Sequence, residues 1–321
     1  MNEDLPISFE NVKVKLEKEF ELVSTALKNL ENEYKFTRLN PYDFTSKEPG
    51  YSKQEIDQEY ELLANKRKKY GEATLEQKIT KLKADFLERL IVVGISKFEY
   101  FGKEAESFLA SDIDDELNFI DGGVKFNTLD FVTQYKLLGL EFDATFTSDI
   151  EGINTKIHAL KKDLDNNNIP KLKYVYDDIR EKNGLLLPKV ILGCDNESIN
   201  VLIKEIAQKN FNVLENNPIQ DKLLIQAEAQ LSAFKDRYSK KSVYYRHMTN
   251  EATDETKKED FNLEQRLASR LFDMHSEILG LVRKAGEEKN VFTFENEKAF
   301  FSDAVHVKIL DVTKNINKQK Q

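Results

Sequence analysis

The chain has a single cysteine among 321 residues. A lone Cys194 excludes an intrachain disulfide and any multi-cysteine metal site. Its place after the apolar run Val190-Ile191-Leu192-Gly193 predicts a buried, structural thiol. Histidine is scarce too: His158, His247, His275 and His306 include no pair at i, i+4, which excludes a helical two-histidine zinc site. No stretch reaches the apolar length of a membrane span. The opening MNEDLPIS is acidic and lacks the apolar segment of a secretory signal, so the sequence predicts a cytoplasmic protein with no membrane partner. An excess of positive charge is also lacking. The 48 Lys+Arg stand against 57 Asp+Glu, a formal net charge of -9, so nucleic-acid binding would need a local basic face.

What the chain has is helical periodicity at both ends. Val12, Leu16, Phe20, Val23, Leu27, Leu30 and Tyr34 fall in steps of four and three and predict a long amphipathic helix over 9–35. Prolines 41 and 49 with Gly50 punctuate the chain. Ser52 with Glu55 and Thr74 with Gln77 have the capping-box spacing, placing helices near 53–70 and 75–93. Beyond Pro218 the pattern predicts helices over 219–239 and 260–285, with a polar loop over 249–258 between them. Residues 291–312 fit either a strand or a helix, and the polar, basic tail 314–321 predicts disorder.

At about residue 112 the texture changes to Asp, Asn and Gly and then to alternation. Over 135–147, Leu138, Leu140, Phe142, Ala144 and Phe146 fall on one face, while Gly139, Glu141, Asp143, Thr145 and Thr147 fall on the other. Val124-Lys125-Phe126 predicts a strand pairing with it through a turn near 127–130. A helix follows over 153–164, then a strand over 172–176, forming a crossover unit, and Lys189 to Cys194 predicts a strand covered on both faces, with a helix over 196–208. The expected fold class is α/β (α+β): a mixed central sheet of about four or five strands flanked by helices, with long N-terminal and C-terminal helical regions. The expected divisions are an N-terminal helical region 1–74, an α/β core 75–215 and a mainly helical region 216–321.

The chemistry is carried by carboxylates, chiefly Asp114, Asp115, Asp121, Glu141 and Asp143. A calcium loop starting at Asp112 fails, because its sixth and twelfth positions hold Leu117 and Gly123 where glycine and glutamate are needed. Glu141 and Asp143, two apart on a strand, fall on one face. A hard cation, Mg²⁺ or Mn²⁺, would remove the repulsion between them, with Asp121 as third ligand. Acids on the solvent face of a half-covered strand, or in the first turn of a helix, equally arise for structural reasons.

Over about 75–177 the order of elements, with Asp121 and Asp143, resembles the PD-(D/E)XK, or restriction-endonuclease-like, nuclease superfamily. Asn118-Phe119-Ile120-Asp121 and Glu141-Phe142-Asp143-Ala144-Thr145 also resemble segments of uncharacterised bacterial proteins with this layout. The resemblance implies an active site with Asp121 and Asp143 as metal-binding acids, Glu141 auxiliary, and Mg²⁺ or Mn²⁺ as cofactor. The chain departs from the pattern in having no lysine two residues after the strand acid. Lys156, Lys161 and Lys162 on the following helix are substitutes, and Lys156, beside Ile153 and Ile157, is the best placed to lean towards the sheet. The implied function is metal-dependent hydrolysis of phosphodiester bonds in DNA or RNA, with local basic patches as the nucleic-acid surface. These patches are Lys66-Arg67-Lys68-Lys69, Lys161-Lys162, and Arg237 to Lys241 with Tyr244-Tyr245-Arg246. The alternative is a non-catalytic interaction or scaffold protein with a degenerate nuclease-like core, whose long helices bind a protein partner.

Overall fold

Thr74 Oγ1 accepts from the Gln77 amide at 3.2 Å while Gln77 Oε1 accepts from the Thr74 amide at 2.9 Å, and this capping box opens helix α3 (Leu75–Phe98). Ser52 and Glu55 exchange the same pair of bonds at the start of α2 (Lys53–Lys69). The chain has only 12 glycines, and several helices instead end on or just before left-handed residues with side chains: Glu99, Phe119, Lys209 and Asn290, with φ between 53 and 62°. The computed structural model describes residues 9–36, 38–45, 51–69, 73–127, 137–146, 150–165, 171–174, 185–215, 217–293, 300 and 302–316.

The remaining helices among these residues are α1 (Phe9–Glu33), α4 (Asp112–Asn118), α5 (Ile150–Asp165), α6 (Asn196–Ala207), α7 (Pro218–Glu251), α8 (Glu255–Glu288) and α9 (Ala304–Ile316). The strands are β1 (Ala105–Leu109), β2 (Gly122–Asn127), β3 (Leu137–Phe146), β4 (Lys171–Leu172), β5 (Leu185–Leu186) and β6 (Lys189–Cys194). The main sheet has the order β1-β2-β3-β6, antiparallel except for the parallel β3–β6 pair, and β4 and β5 form a separate two-stranded ribbon.

The expected α/β class, built around a central sheet of about four or five strands, is overturned: the protein is mostly helical. The strands of the main sheet span 5, 6, 10 and 6 residues, against 34 for each of α7 and α8. Several local expectations shift the same way. Residues 112–118 form a helix, because Ser111 Oγ caps it by accepting from the Asp114 amide at 3.0 Å. Among the described residues Leu172 pairs only within the ribbon, and the parallel partner of β3 is β6. The polar stretch 249–258 shrinks to a turn at 252–254, because Asp254 caps α8 by accepting from the Lys257 amide at 3.1 Å. The turn near 127–130, the end of the strand expected over 172–176 and most of the tail lie outside the described residues. No described helix is long and apolar enough to cross a membrane.

One face of the sheet, with Val124, Phe126, Val190 and Leu192, packs in a core shared with Val23, Ala26 and Leu30 of α1, Phe86, Leu87, Leu90, Ile91 and Ile95 of α3, and α6 to α8. Cys194 is buried there, and its thiol pKa is pushed up by desolvation. On the other face Ile191 meets Ile153, Ile157 and Leu160 of α5, Phe234 and Tyr238 of α7, and Val305 and Ile309 of α9.

The outer edge of β6 is closed by side chains. Gln230 Oε1 accepts from the Ile191 amide at 2.9 Å and its Nε2 donates to Ile191 O at 2.8 Å. Gln226 does the same for Gly193, both bonds at 2.8 Å. One step further, Asp303 accepts from the Asp195 amide at 3.4 Å and is held by Lys222 Nζ at 2.6 Å. Lys222, Gln226 and Gln230 are four apart on α7. Four helical residues rise about 6 Å and two strand residues about 6.6 Å, so helix and strand stay in step. These amides occupy the place of a fifth strand, which is why the sheet stops and helix takes over. Replacing Gln230 by Leu leaves the Ile191 amide and carbonyl buried and unpaired, and is expected to cost about 1–3 kcal/mol. A lowered urea midpoint checks this, and an unchanged midpoint contradicts it.

Candidate functional site

The acidic run 112–116 is first a helix start. Asp112, Asp114 and Asp115 lie in the first turn of α4, where carboxylates complement the partial positive charge of the free amides. Asp114 is fully buried and accepts four hydrogen bonds: from the Lys173 amide at 2.9 Å, the Tyr174 amide at 3.0 Å, Asn118 Nδ2 at 2.9 Å and Ser111 Oγ at 3.0 Å. Desolvation raises its pKa against the pull of those donors. With its acceptor positions taken, Asp114 clamps the 173–174 segment to α4. Asp115 and Asp112 pair with Arg38 at 2.8 and 3.2 Å, and Glu116 accepts from Arg67 Nε at 2.8 Å.

Arg38 also lies 3.7 Å from Glu88, whose Oε2 is buried without a hydrogen-bond partner. Desolvation, reinforced by Asp115 and Asp85, outweighs Arg38 and Arg89 and pushes the Glu88 carboxyl up to about 8.

The chain leaves α4 through Phe119 at φ 56°, buries Ile120 and reaches Asp121 immediately before β2. Asp121 is 9% exposed and lines a cavity of about 500 Å³. The other walls are Lys66 of α2, the end of α4 with Phe119, Thr155, Lys156, Ala159 and Leu160 of α5, and Lys189 and Ile191 of β6. Asp121 and Lys156, both expected at a site, thus share one cavity. The register pairs Gly122 with Phe142 and Gly123 with Glu141, so one further step sets Asp121 opposite position 143. It also pairs Glu141 with Lys189 and Asp143 with Ile191. Positions 141 and 143 therefore fall on the sheet face of Gly123, Lys189 and Ile191, while the side chains of Glu141 and Asp143 lie outside the described residues. Gly123 is needed here: a Cβ would come within 2.4 Å of the Phe108 ring.

Lys189 is the residue that sequence reasoning missed. It is 7% exposed, and its Nζ donates to Phe119 O. Its signal was a lysine opening an otherwise apolar strand, where a charge needs a partner. Lys66 was noticed only as part of a basic run; its Nζ donates to Glu116 O and lies 4.8 Å from the Phe119 ring centroid. The other aromatic-basic patch is divided by α7, with Tyr238 buried and Tyr244 56% exposed. Lys241 there is lowered to about 8 by burial and by the neighbouring Arg237.

Among the described residues no group of three His, Cys, Asp or Glu could hold a metal ion, and the side chains of Glu141 and Asp143 stand outside that set. The available donor chemistry is carboxylate oxygen, which suits Mg²⁺ or Mn²⁺. No family model matches the chain, and no curated protein and no solved structure matches it either.

Glu88 sets a pH dependence. Its folded-state pKa of about 8 lies above the ordinary 4.5, so the folded state holds the proton more tightly and stability falls as pH rises from about 4.5 to 8. Glu88→Gln is expected to remove that fall, giving a variant more stable than wild type at pH 8. Urea unfolding at pH 5 and pH 8 checks this, and equal pH slopes in the two proteins contradict it.

Proposed function

We propose that the chain is a metal-dependent phosphodiesterase acting on nucleic acid, with its site at the Asp121 cavity. The observation that carries this reading is one cavity lined by Asp121, Lys156 and Lys189, with Asp121 one register step beyond the Gly122–Phe142 pair and so opposite position 143. The resemblance to PD-(D/E)XK nucleases, stated from Asp121 and Asp143, is part of the same proposal. Further support is the order α3, β1, α4, β2, β3, α5, β4, β5, β6, in which β1, β2, β3 and β6 form the main sheet and β6 is parallel to β3.

Asp121 and Asp143, with Glu141 auxiliary, would hold Mg²⁺ or Mn²⁺. A bound ion of this kind supplies Lewis acidity to the phosphate and lowers the pKa of a water nucleophile. The chain's own groups do the rest. Lys156 and Lys189 bring positive charge to the developing negative charge on phosphate oxygens, where preorganised cations in a partly dry cavity act most strongly. Lys189 is fixed by Phe119 O and has two further N–H groups to offer. Arg38 pairs with Asp115 and Arg67 with Glu116, which offsets part of the negative charge that α4 presents to a phosphate approaching from that side.

A second reading, a non-catalytic protein that binds a partner through its helices, is favoured by the outer part of the α7–α8 hairpin, where Val243, Tyr244 and Leu263 are 62%, 56% and 67% exposed.

Incubation with plasmid and single-stranded substrates plus Mn²⁺ distinguishes the two. Cleavage that a chelator stops, and that falls by about a hundredfold or more in Asp143→Ala and Asp121→Ala, is expected of the phosphodiesterase. Activity undiminished in Asp143→Ala contradicts it.

A further inference from the structure

We propose that Phe119 is a stacking platform for a nucleobase and that the cavity beside it takes single-stranded rather than duplex nucleic acid. This rests on reading the cavity as a phosphodiester site and adds the class of substrate.

The first observation is the backbone. Phe119 closes α4 in the left-handed region at φ 56°, which is strained for a residue with a Cβ and which glycine or asparagine would occupy more easily. Among the described non-glycine residues with positive φ it is the only aromatic one. The second observation is the ring. It is 62% exposed, although one cation, Lys66, already lies over it at 4.8 Å. A large apolar ring is thus held towards solvent at the rim of a cavity instead of folding into it. The third is how firmly it is held. The Phe119 amide donates to Asp114 O, its carbonyl accepts from the buried Lys189, and Asp114 is itself tied down by four donors. A ring presented on a fixed backbone loses little entropy when a flat partner settles on it.

The partner's chemistry follows from what surrounds the ring. Lys66, Lys156 and Lys189 line the same cavity beside Asp121, while Asp115 and Glu116 pair with Arg38 and Arg67. An aromatic face next to cations fits a π-faced, anionic ligand, which a nucleotide in a strand provides: base on the ring, phosphate on the lysines. A duplex presents base edges in its grooves and keeps base faces stacked, so it cannot use the ring. A cavity of about 500 Å³ is of the size that holds one small-molecule-sized group, such as an unstacked nucleotide.

The chain has no tryptophan, so Phe119→Trp installs a single reporter at the rim. Titrations in chelator use a single-stranded oligonucleotide, the same length of strand made of abasic sites, and a duplex. Saturable quenching by the base-bearing single strand is expected, with little from the abasic strand and binding at least tenfold weaker for the duplex. On the wild-type background, Phe119→Ala is expected to weaken the base-bearing strand about tenfold and to leave the abasic strand unchanged. Equal losses on both strands, or none on either, overturn the platform. Wild-type cleavage that is lost in Asp143→Ala, with strand preference unaltered in Phe119→Ala, overturns the platform while leaving the phosphodiester site standing. No binding of any strand together with no cleavage overturns both.

Discussion

The side-chain amides of Gln226 and Gln230, laid along the free edge of β6, are the contact on which the architecture turns. A strand with an open edge recruits another strand. Here α7 satisfies the edge at Ile191 and Gly193, and Asp303 extends the cover to Asp195. Gln226 Nε2 also lies 3.2 Å from Nδ1 of His306, a histidine that burial lowers to about 4 and so keeps neutral. The sheet, α7 and α9 therefore meet along one line of hydrogen bonds. Because that line is filled by a 34-residue helix, the chain beyond β6 builds outward as helices.

The same edge contact bears on the cavity. Ile191, held on its backbone by Gln230, lines the cavity together with Lys189, two residues before it on β6. On the opposite side α4 is fixed by Asp114 to 173–174, by Arg38 to the link between α1 and α2, and by Arg67 to α2. Asp121 thus lies between two separately anchored walls. Its place follows from the end of α4 and the start of β2.

Much of the local structure was legible. Capping boxes at Ser52 and Thr74 marked helix starts because that spacing meets a local need for amide acceptors, and four-three steps marked α1. The alternation at 137–146 marked β3 for the same kind of reason. The weight of helix over sheet was not legible. Gln226 and Gln230 read as ordinary polar residues of an amphipathic helix, and only long-range geometry shows that they face a strand's backbone. The acidic run at 112–116 misled in a related way. Its letters suit a loop or a metal site, and it became a helix because Ser111 caps it and because arginines at positions 38 and 67, distant in sequence, pair with Asp112, Asp115 and Glu116. Lys156 was found because helical spacing sets it beside Ile153 and Ile157. Lys189 was passed over because one lysine at a strand's first residue looks like a surface charge until its burial is seen.

The functional assignment rests on Asp121 and position 143 meeting around one divalent ion. Fe²⁺ in place of Mn²⁺, with ascorbate and peroxide, generates radicals that cut the polypeptide close to the bound metal. Cuts clustered at about 119–123 and 141–145, and suppressed by excess Mg²⁺, are expected if both carboxylates share the ion. Cuts at only one of these segments, cuts elsewhere, or an intact chain contradict the shared site.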